Sequence, residues 1–179
     1  MNLSLVSVRY AKALFKLSVE KGITEEVYEN IQLLLSNCTE NTSFCEFVRS
    51  PVVKPSKKKK LFDDVFGKIL NPVTLNFLKV VIDNNRELIL DLIFRGYISF
   101  YKKEKNIKTV TLYSAFEMED AYVERVRRLL IKEIGEPLEL KTIKKEDLLG
   151  GFILKVDDKM VDASITGKLK QVKEHLIKG

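Results

Sequence analysis

Tryptophan is absent from this 179-residue chain, histidine occurs once (His175), and cysteine occurs twice, at Cys38 and Cys45. A lone histidine excludes catalytic schemes built on several imidazoles. Two cysteines do not make a disulfide framework and point to a reducing compartment. Long apolar runs are missing too: none approaches the roughly 18–20 residues of a membrane-spanning helix. Arg9, Lys12 and Lys16 interrupt the amino-terminal apolar stretch, which therefore does not read as a secretory signal. What is present is globular: 45% apolar and 31% charged residues, in a length that fits one large domain or two small ones. A soluble, cytoplasmic protein is expected.

The net charge of +6 is unevenly spread. Residues 1–105 hold 17 basic and 12 acidic groups, and residues 106–179 hold 14 and 13. The run Lys57 to Lys60 supplies most of the first part's excess, so the basic character is one local patch rather than a face of the molecule.

The few glycines and prolines punctuate the chain. Ser7 to Lys21 is strongly periodic and Gly22 stops it. Thr24 is expected to cap a second helix to about Ser36, and a third covers Thr42 to Arg49, before Pro51. Pro55 and Ser56 open a fourth, ending at Gly67. Asn71 and Pro72 form a cap and first-turn pair for a fifth, to about Asp83. A sixth runs from Arg86 to Lys103 with Gly96 inside it. Six helices with short connections read as a helical bundle. Beyond Lys105 the pattern changes. Asn106 to Ala115 reads as a strand, Glu117 to Ile134 as a helix stopped by Gly135, and Leu138 to Ile143 as a second strand. Gly151 to Val156 and Met160 to Asp162 form a hairpin around Asp157, Asp158 and Lys159. Ser164 caps a last helix through His175. Strand, helix, strand suggests a right-handed crossover. The fold class is therefore α+β: an amino-terminal six-helix bundle, residues 1–105, followed by a small α/β domain, residues 106–179.

The chemical inventory is thin. Gly167-Lys168 lacks the upstream glycine and following hydroxyl of a phosphate loop. Gly150-Gly151 and Asp157-Asp158 read as turns. Cys38 and Cys45, on different expected helices, fit no zinc spacing and read as small buried apolar residues. His175 favours a helix carboxyl end. No catalytic residue, metal ligand or cofactor is expected, and the chain reads as a non-enzyme. Lys57 to Lys60 could neutralise phosphates, so a nucleic-acid or acidic-surface binding module is the alternative reading. The run carries no interleaved aromatic or arginine, however, and a solvated helix face explains it as simply.

The sharper signal lies on two helices. At about 100° per residue, Arg9, Lys12, Lys16 and Glu20 fall in a band of about 80°, and nearly all the rest of the first helix is apolar. One stripe holds Val8, Ala11, Phe15 and Val19; the other holds Val6, Tyr10, Ala13, Leu14 and Leu17. The fifth helix repeats the excess with Leu75, Leu78 and Ile82 against Val73, Phe77 and Val80. Either both helices are buried on both sides, or one stripe of each combines into a groove for an amphipathic partner helix. Periodicity alone leaves both open.

Several segments resemble one family. Arg9-Tyr10-Ala11-Lys12-Ala13-Leu14-Phe15, Ser50-Pro51-Val52-Val53 before the lysine-rich helix, Phe77 to Arg86, and above all Gly150 to Leu169 are similar to the delta subunits of F-type ATP synthases, whose mitochondrial relative is the oligomycin-sensitivity-conferring protein. The resemblance spans essentially the whole chain. It implies a non-catalytic stator that joins the catalytic head to the peripheral stalk and so supports proton-driven ATP synthesis. It further implies that the first and fifth helices receive the amino-terminal helix of an alpha subunit, with Tyr10, Ala13, Leu14, Phe77 and Val80 lining the groove. The second domain would engage the end of the b subunits, through or beside Gly150, Gly151, Asp162, Ser164 and Gly167. Also implied are a place on the cytoplasmic face of the cell membrane through the complex alone, no nucleic-acid partner, and a monomer when isolated.

Overall fold

A computed structural model describes residues 3–156 and 159–169. The architecture is α+β, with helices first and a small four-stranded sheet after them. Two compact units, Met1–Tyr101 and Lys102–Gly179, divide the chain.

In the first unit the helices are α1 Leu3–Glu20, α2 Thr24–Glu40, α3 Thr42–Arg49, α4 Pro55–Phe66 and α5 Pro72–Asp83. A 3-10 turn, Glu87–Ile89, then leads into α6, Leu90–Glu104. The Asn71–Pro72 start of α5 is as expected: the Asn71 side chain accepts from the Val73 amide, and Pro72, which has no amide hydrogen to leave unpaired, opens the helix. Thr24 is not a cap. It is the first helical residue, behind Ile23, whose side chain makes no capping bond.

α2 also runs past Ser36 to Glu40, and this overturns the expectation for the cysteines. The extra turn carries Cys38, α3 folds back beside it, and Cys38 and Cys45 are joined in a disulfide with Cα atoms 5.3 Å apart. They are therefore a covalent clip between α2 and α3, not independent apolar fillers.

The helix expected over Arg86–Lys103 is split, because its first turn is tighter and carries Glu87 into the interior. There Glu87 meets Lys58 of α4, and the pair is almost wholly shielded from water. Gly96, inside α6, marks a close crossing: a Cβ at that position would lie 2.9 Å from the Cβ of Ala11 on α1. Absence of a side chain lets the two helices approach.

The second unit opens with β1 Lys108–Ser114, crosses through α7 Asp120–Ile134, and returns as β2 Leu138–Lys144. β1 and β2 are parallel, which requires such a crossover. β3 Phe152–Val156 pairs antiparallel with β1, and β4 Lys159–Asp162 with β3, so the strand order is β2-β1-β3-β4. Gly135, in the left-handed conformation, ends α7 as expected. Lys159 already belongs to β4 rather than to the turn; Asp157 and Asp158 lie outside the described residues. Residues 165–169 are helical behind Ser164. The remainder of the helix expected through His175 is likewise outside the described residues.

The alternation along β1 sends Val110, Leu112 and Ser114 to one face, all buried. Register places Leu154 opposite Leu112 and Phe152 opposite Ser114 on that face. α7 packs at the β2 side. None of its residues is buried.

Candidate functional site

The core line of α1 runs through Ser7, Ala11, Leu14 and Ser18, all buried. This spacing of four, three and four is one helix face, and it passes between the two apolar stripes expected from periodicity. Two of its members are serines, so an apolar count misses it. Ser18 lies 2.9 Å from the buried Tyr97 hydroxyl of α6 and 2.7 Å from the Phe15 carbonyl, and its single hydroxyl proton serves one of these two contacts at a time. The Tyr97 hydroxyl donates in turn to the Thr24 carbonyl, at 3.1 Å. Burial raises the Tyr97 pKa above the ordinary phenol value. α5 repeats the arrangement: Thr74, Leu78, Val81 and Ile82 are its buried residues.

With those lines turned inward, apolar residues of both helices are left at the surface; on α1, Val8 and Val19 are exposed to one side of the line, 45% and 48%, and a row lies to the other. On α1 the row is Val6, Tyr10, Ala13 and Leu17, from half-buried to exposed. On α5 it is Val73 and Phe77, half-buried, and Val80, 51% exposed. The rows meet where the Tyr10 and Phe77 rings pack edge to face, centroids 6.3 Å apart. Four of the five residues expected in the groove thus lie on these two exposed rows. Leu14 does not: it is completely buried and belongs to the core, because its position falls on the inward line. Val6, Leu17 and Val73 extend the strip beyond the residues first assigned to it.

The lysine run is broken up by the fold. Lys58 is buried against Glu87, and Lys59 reaches Asp83 at 2.6 Å. Only Lys57 and Lys60 face water outright. The expectation of a wholly solvated face fails at Lys58, which sits on the side of α4 that also buries Phe62 and Phe66. Two of the four cations are already matched by carboxylates of this chain, which removes much of the attraction for phosphate.

Around Gly150 to Gly167 the residues form a polar knot. The Asp162 carboxylate accepts from the Ser164 amide at 2.9 Å and from its hydroxyl at 2.6 Å. The Ser164 oxygen accepts from the Gly167 amide at 2.9 Å, which caps the helical residues that follow. These two hydrogen bonds from Ser164, side chain before backbone, hold Asp162 below the usual carboxylate range, with Lys145 adding to them. A side chain at Gly167 would strike the Asp162 carboxylate, at under 3 Å. Gly151 has a φ of +77°, and a Cβ there would lie 2.4 Å from the Ala163 carbonyl oxygen. Asp162, Ser164, Gly167 and Gly151 are accordingly brought together as a structural cluster; a Cβ at Gly150 would meet only the flexible end of Ile165.

One surface was not anticipated. Between α7 and the β1–β3 half of the sheet lies a cleft of about 420 Å³, lined by Leu112, Phe116, Tyr122, Val126, Leu129 and Phe152 among others. The helical spacing of Tyr122, Val126, Leu129 and Leu130 was legible in the sequence, but not that the helix leaves them uncovered. No group of three or more metal-ligating side chains occurs among the described residues, and none of the described helices is long and apolar enough to cross a membrane.

Comparison with known proteins converges. The family described as ATP synthase delta (OSCP) subunit matches residues 6–176. ATP synthase subunit delta of Prochlorococcus marinus is 32% identical over 171 residues, 95% of each chain. That of Bacillus thuringiensis is 30% identical over 179 residues, 99% of each. A chain in the Toxoplasma gondii mitochondrial ATP synthase hexamer has the same fold, with a TM-score of 0.79 and 21% identity over 96% of this chain and 97% of that one.

Proposed function

Given that the chain belongs to the ATP synthase delta (OSCP) subunit family, we propose that it is a non-catalytic stator subunit, linking the catalytic head of an F-type ATP synthase to the b subunits of the peripheral stalk. The observation that carries this reading is the exposed apolar strip where α1 and α5 meet at Tyr10 and Phe77. Its partner is the amino-terminal helix of an alpha subunit, laid along Tyr10, Ala13, Phe77 and Val80, with Leu14 supporting the strip from beneath. The second unit faces the stalk, and Asp162, Ser164 and Gly167 shape it rather than touch the partner. The chain reaches the membrane only through the complex.

The mechanism is mechanical. The turning central shaft exerts torque on the head, and the stator has to resist it. Burying an apolar helix face supplies about 25 cal/mol per Å² before ordering costs. Unlike a contact made of exposed ion pairs, it is little screened by salt. Titrating the full chain calorimetrically with a peptide of the cognate alpha subunit's amino-terminal helix, at low and high salt, tests it. One-to-one binding that barely weakens in salt, and is lost in Tyr10→Asp and Val80→Asp with circular dichroism unchanged, is expected. Retained affinity in both variants would defeat the groove assignment.

A further inference from the structure

α3 depends on one covalent bond for much of its attachment. It has eight residues, too few for a helix to persist without packing. Its buried residues are Cys45 and Val48, and the first of these is the bonded cysteine. Phe44 adds edge-to-face contacts with Phe62 and Phe66 of α4, at 5.7 and 5.6 Å. The bond itself joins residues seven apart, across the single residue Asn41 that separates α2 from α3.

Beneath α3 lies a polar group in an apolar setting. Cys38, Phe44, Cys45 and Val48 line a cavity of about 20 Å³, together with Phe62 and Glu87. Glu87 is the partner of the shielded Lys58, and its second carboxylate oxygen, Oε2, has no hydrogen-bond partner among the described residues. A buried ion pair with one oxygen unsatisfied gains from water, and a space of this size holds about one molecule. Closure of α3 over the pair therefore works against hydration, and the covalent bond works for it.

One bond between neighbouring helices is not the many-bridged framework of a small secreted domain. The first unit has an apolar core of its own, with Leu14, Leu78 and Ile93 completely buried. Opening so short a loop then frees a segment instead of unfolding the unit. The two cysteines also differ in access: Cys38 is half-buried, and Cys45 is 7% exposed.

We propose that Cys38–Cys45 is a thiol–disulfide exchange site whose substrate is a dithiol, and that its reduction releases α3 and admits water to Lys58 and Glu87. A thiolate of the dithiol attacks the Cys38 sulfur, the S–S bond breaks, and Cys45 leaves as a thiolate that takes up a proton. The second thiolate of the dithiol attacks the mixed disulfide. Cys38 leaves and is protonated in turn, and the reagent departs as a cyclic disulfide. Two electrons and two protons have passed to the protein. Shielding of the internal ion pair thus follows the surrounding thiol poise, independently of the strip on α1 and α5.

The test uses the full chain, oxidised, with dithiothreitol as the dithiol. Under native conditions, iodoacetamide quenching and mass spectrometry should show both cysteines released, at a rate that rises in proportion to dithiothreitol. The readout specific to the proposal is Lys58. An amine-acetylating ester should modify it at least about tenfold faster after reduction, while the exposed Lys57 and Lys60 change less than about twofold. Amide hydrogen exchange should speed at least about tenfold over residues 42–49 and 87–89, with α1, α5 and β1 unchanged. Oxidised glutathione should restore the protection, and Cys38→Ser with Cys45→Ser should behave as the reduced chain in both conditions. A reduction rate that levels off with dithiothreitol overturns the proposal, because exchange then waits for unfolding. Equal protection of Lys58 in the oxidised and reduced chains overturns it as well. So does protection lost across α1 and α5 together, which makes the bond a staple of the whole unit. The wild-type chain supplies the reduced state, so the test stands even where the double variant does not fold.

Discussion

α1 and α7 are both amphipathic helices, and they dispose of their apolar surface in opposite ways. α1 turns inward a line of three small residues, Ser7, Ala11 and Ser18, with Leu14 among them, and approaches α6 closely enough that Gly96 has no room for a side chain. It keeps apolar residues exposed on both sides of that line, the Tyr10 row on one and Val8 and Val19 on the other. α7 buries nothing completely and holds a cleft open beneath it. The difference teaches that apolar width in a helix does not say how it is used. Small polar residues on the inward line, which lower the apolar count, accompany the tighter packing. The unit around α1 also contains a shielded ion pair and a disulfide. The unit around α7 is held by its sheet and a small polar knot at the surface.

Substitutions in the two units should therefore separate in thermal or denaturant unfolding. The largest effect is expected for Lys58→Ala, which leaves the Glu87 carboxylate buried without its partner, at a cost of about 3–5 kcal/mol. Its transition should fall while that of the second unit stays in place, and Lys58→Met combined with Glu87→Leu should recover most of the loss. Gly151→Val comes next: a positive φ and a collision with the Ala163 carbonyl should cost roughly 1–3 kcal/mol or more and lower only the second unit's transition. Opening the Cys38–Cys45 clip, by a reductant or by Cys38→Ser, should lower the first unit's stability by about 2 kcal/mol, the loop closed being short. If reduction leaves both transitions unmoved, the clip adds nothing.

The smallest effect concerns pH. The Asp162 pKa is lowered in the folded chain by its hydrogen bonds from Ser164, so its contribution to stability is present above the unfolded carboxylate value and lost as pH falls through the folded one. An NMR titration should show the Ser164 and Gly167 amides shifting together below about pH 4, with Ser164→Ala returning Asp162 toward the ordinary range. Independent titration of the two amides would break the link between cap and carboxylate.

Much of the architecture was legible in the chain. The Asn71–Pro72 start, the Gly135 stop and the β-branched segment at 108–114 are local signals, and local chemistry decides them. The parallel pairing of β1 with β2 also followed, since a strand, a helix and a strand have few ways to connect. What escaped depends on partners distant in sequence. Lys58 reads as one of four equal lysines until Glu87 is placed against it. Leu14 reads as surface until Ser7 and Ser18 are known to face inward. Cys38 and Cys45 read as small apolar residues until α2 and α3 are seen to bring them together. The Tyr10–Phe77 strip was accessible because both rows are periodic within their own helices. The α7 cleft was not, because an empty space leaves no pattern in sequence.

The crossing of Gly96 and Ala11 has a consequence for stiffness. Tightness and rigidity differ: a joint can bind firmly through long side chains and still yield, because rotamers bend before contacts break. At this crossing almost no side chain lies between the two helices. Tyr10, in the middle of the exposed row, is the next residue along the chain. A pull applied to its ring passes one residue on into the framework of α6, with little compliant material in between. The strip is thus carried beside a close, side-chain-poor crossing of two helices.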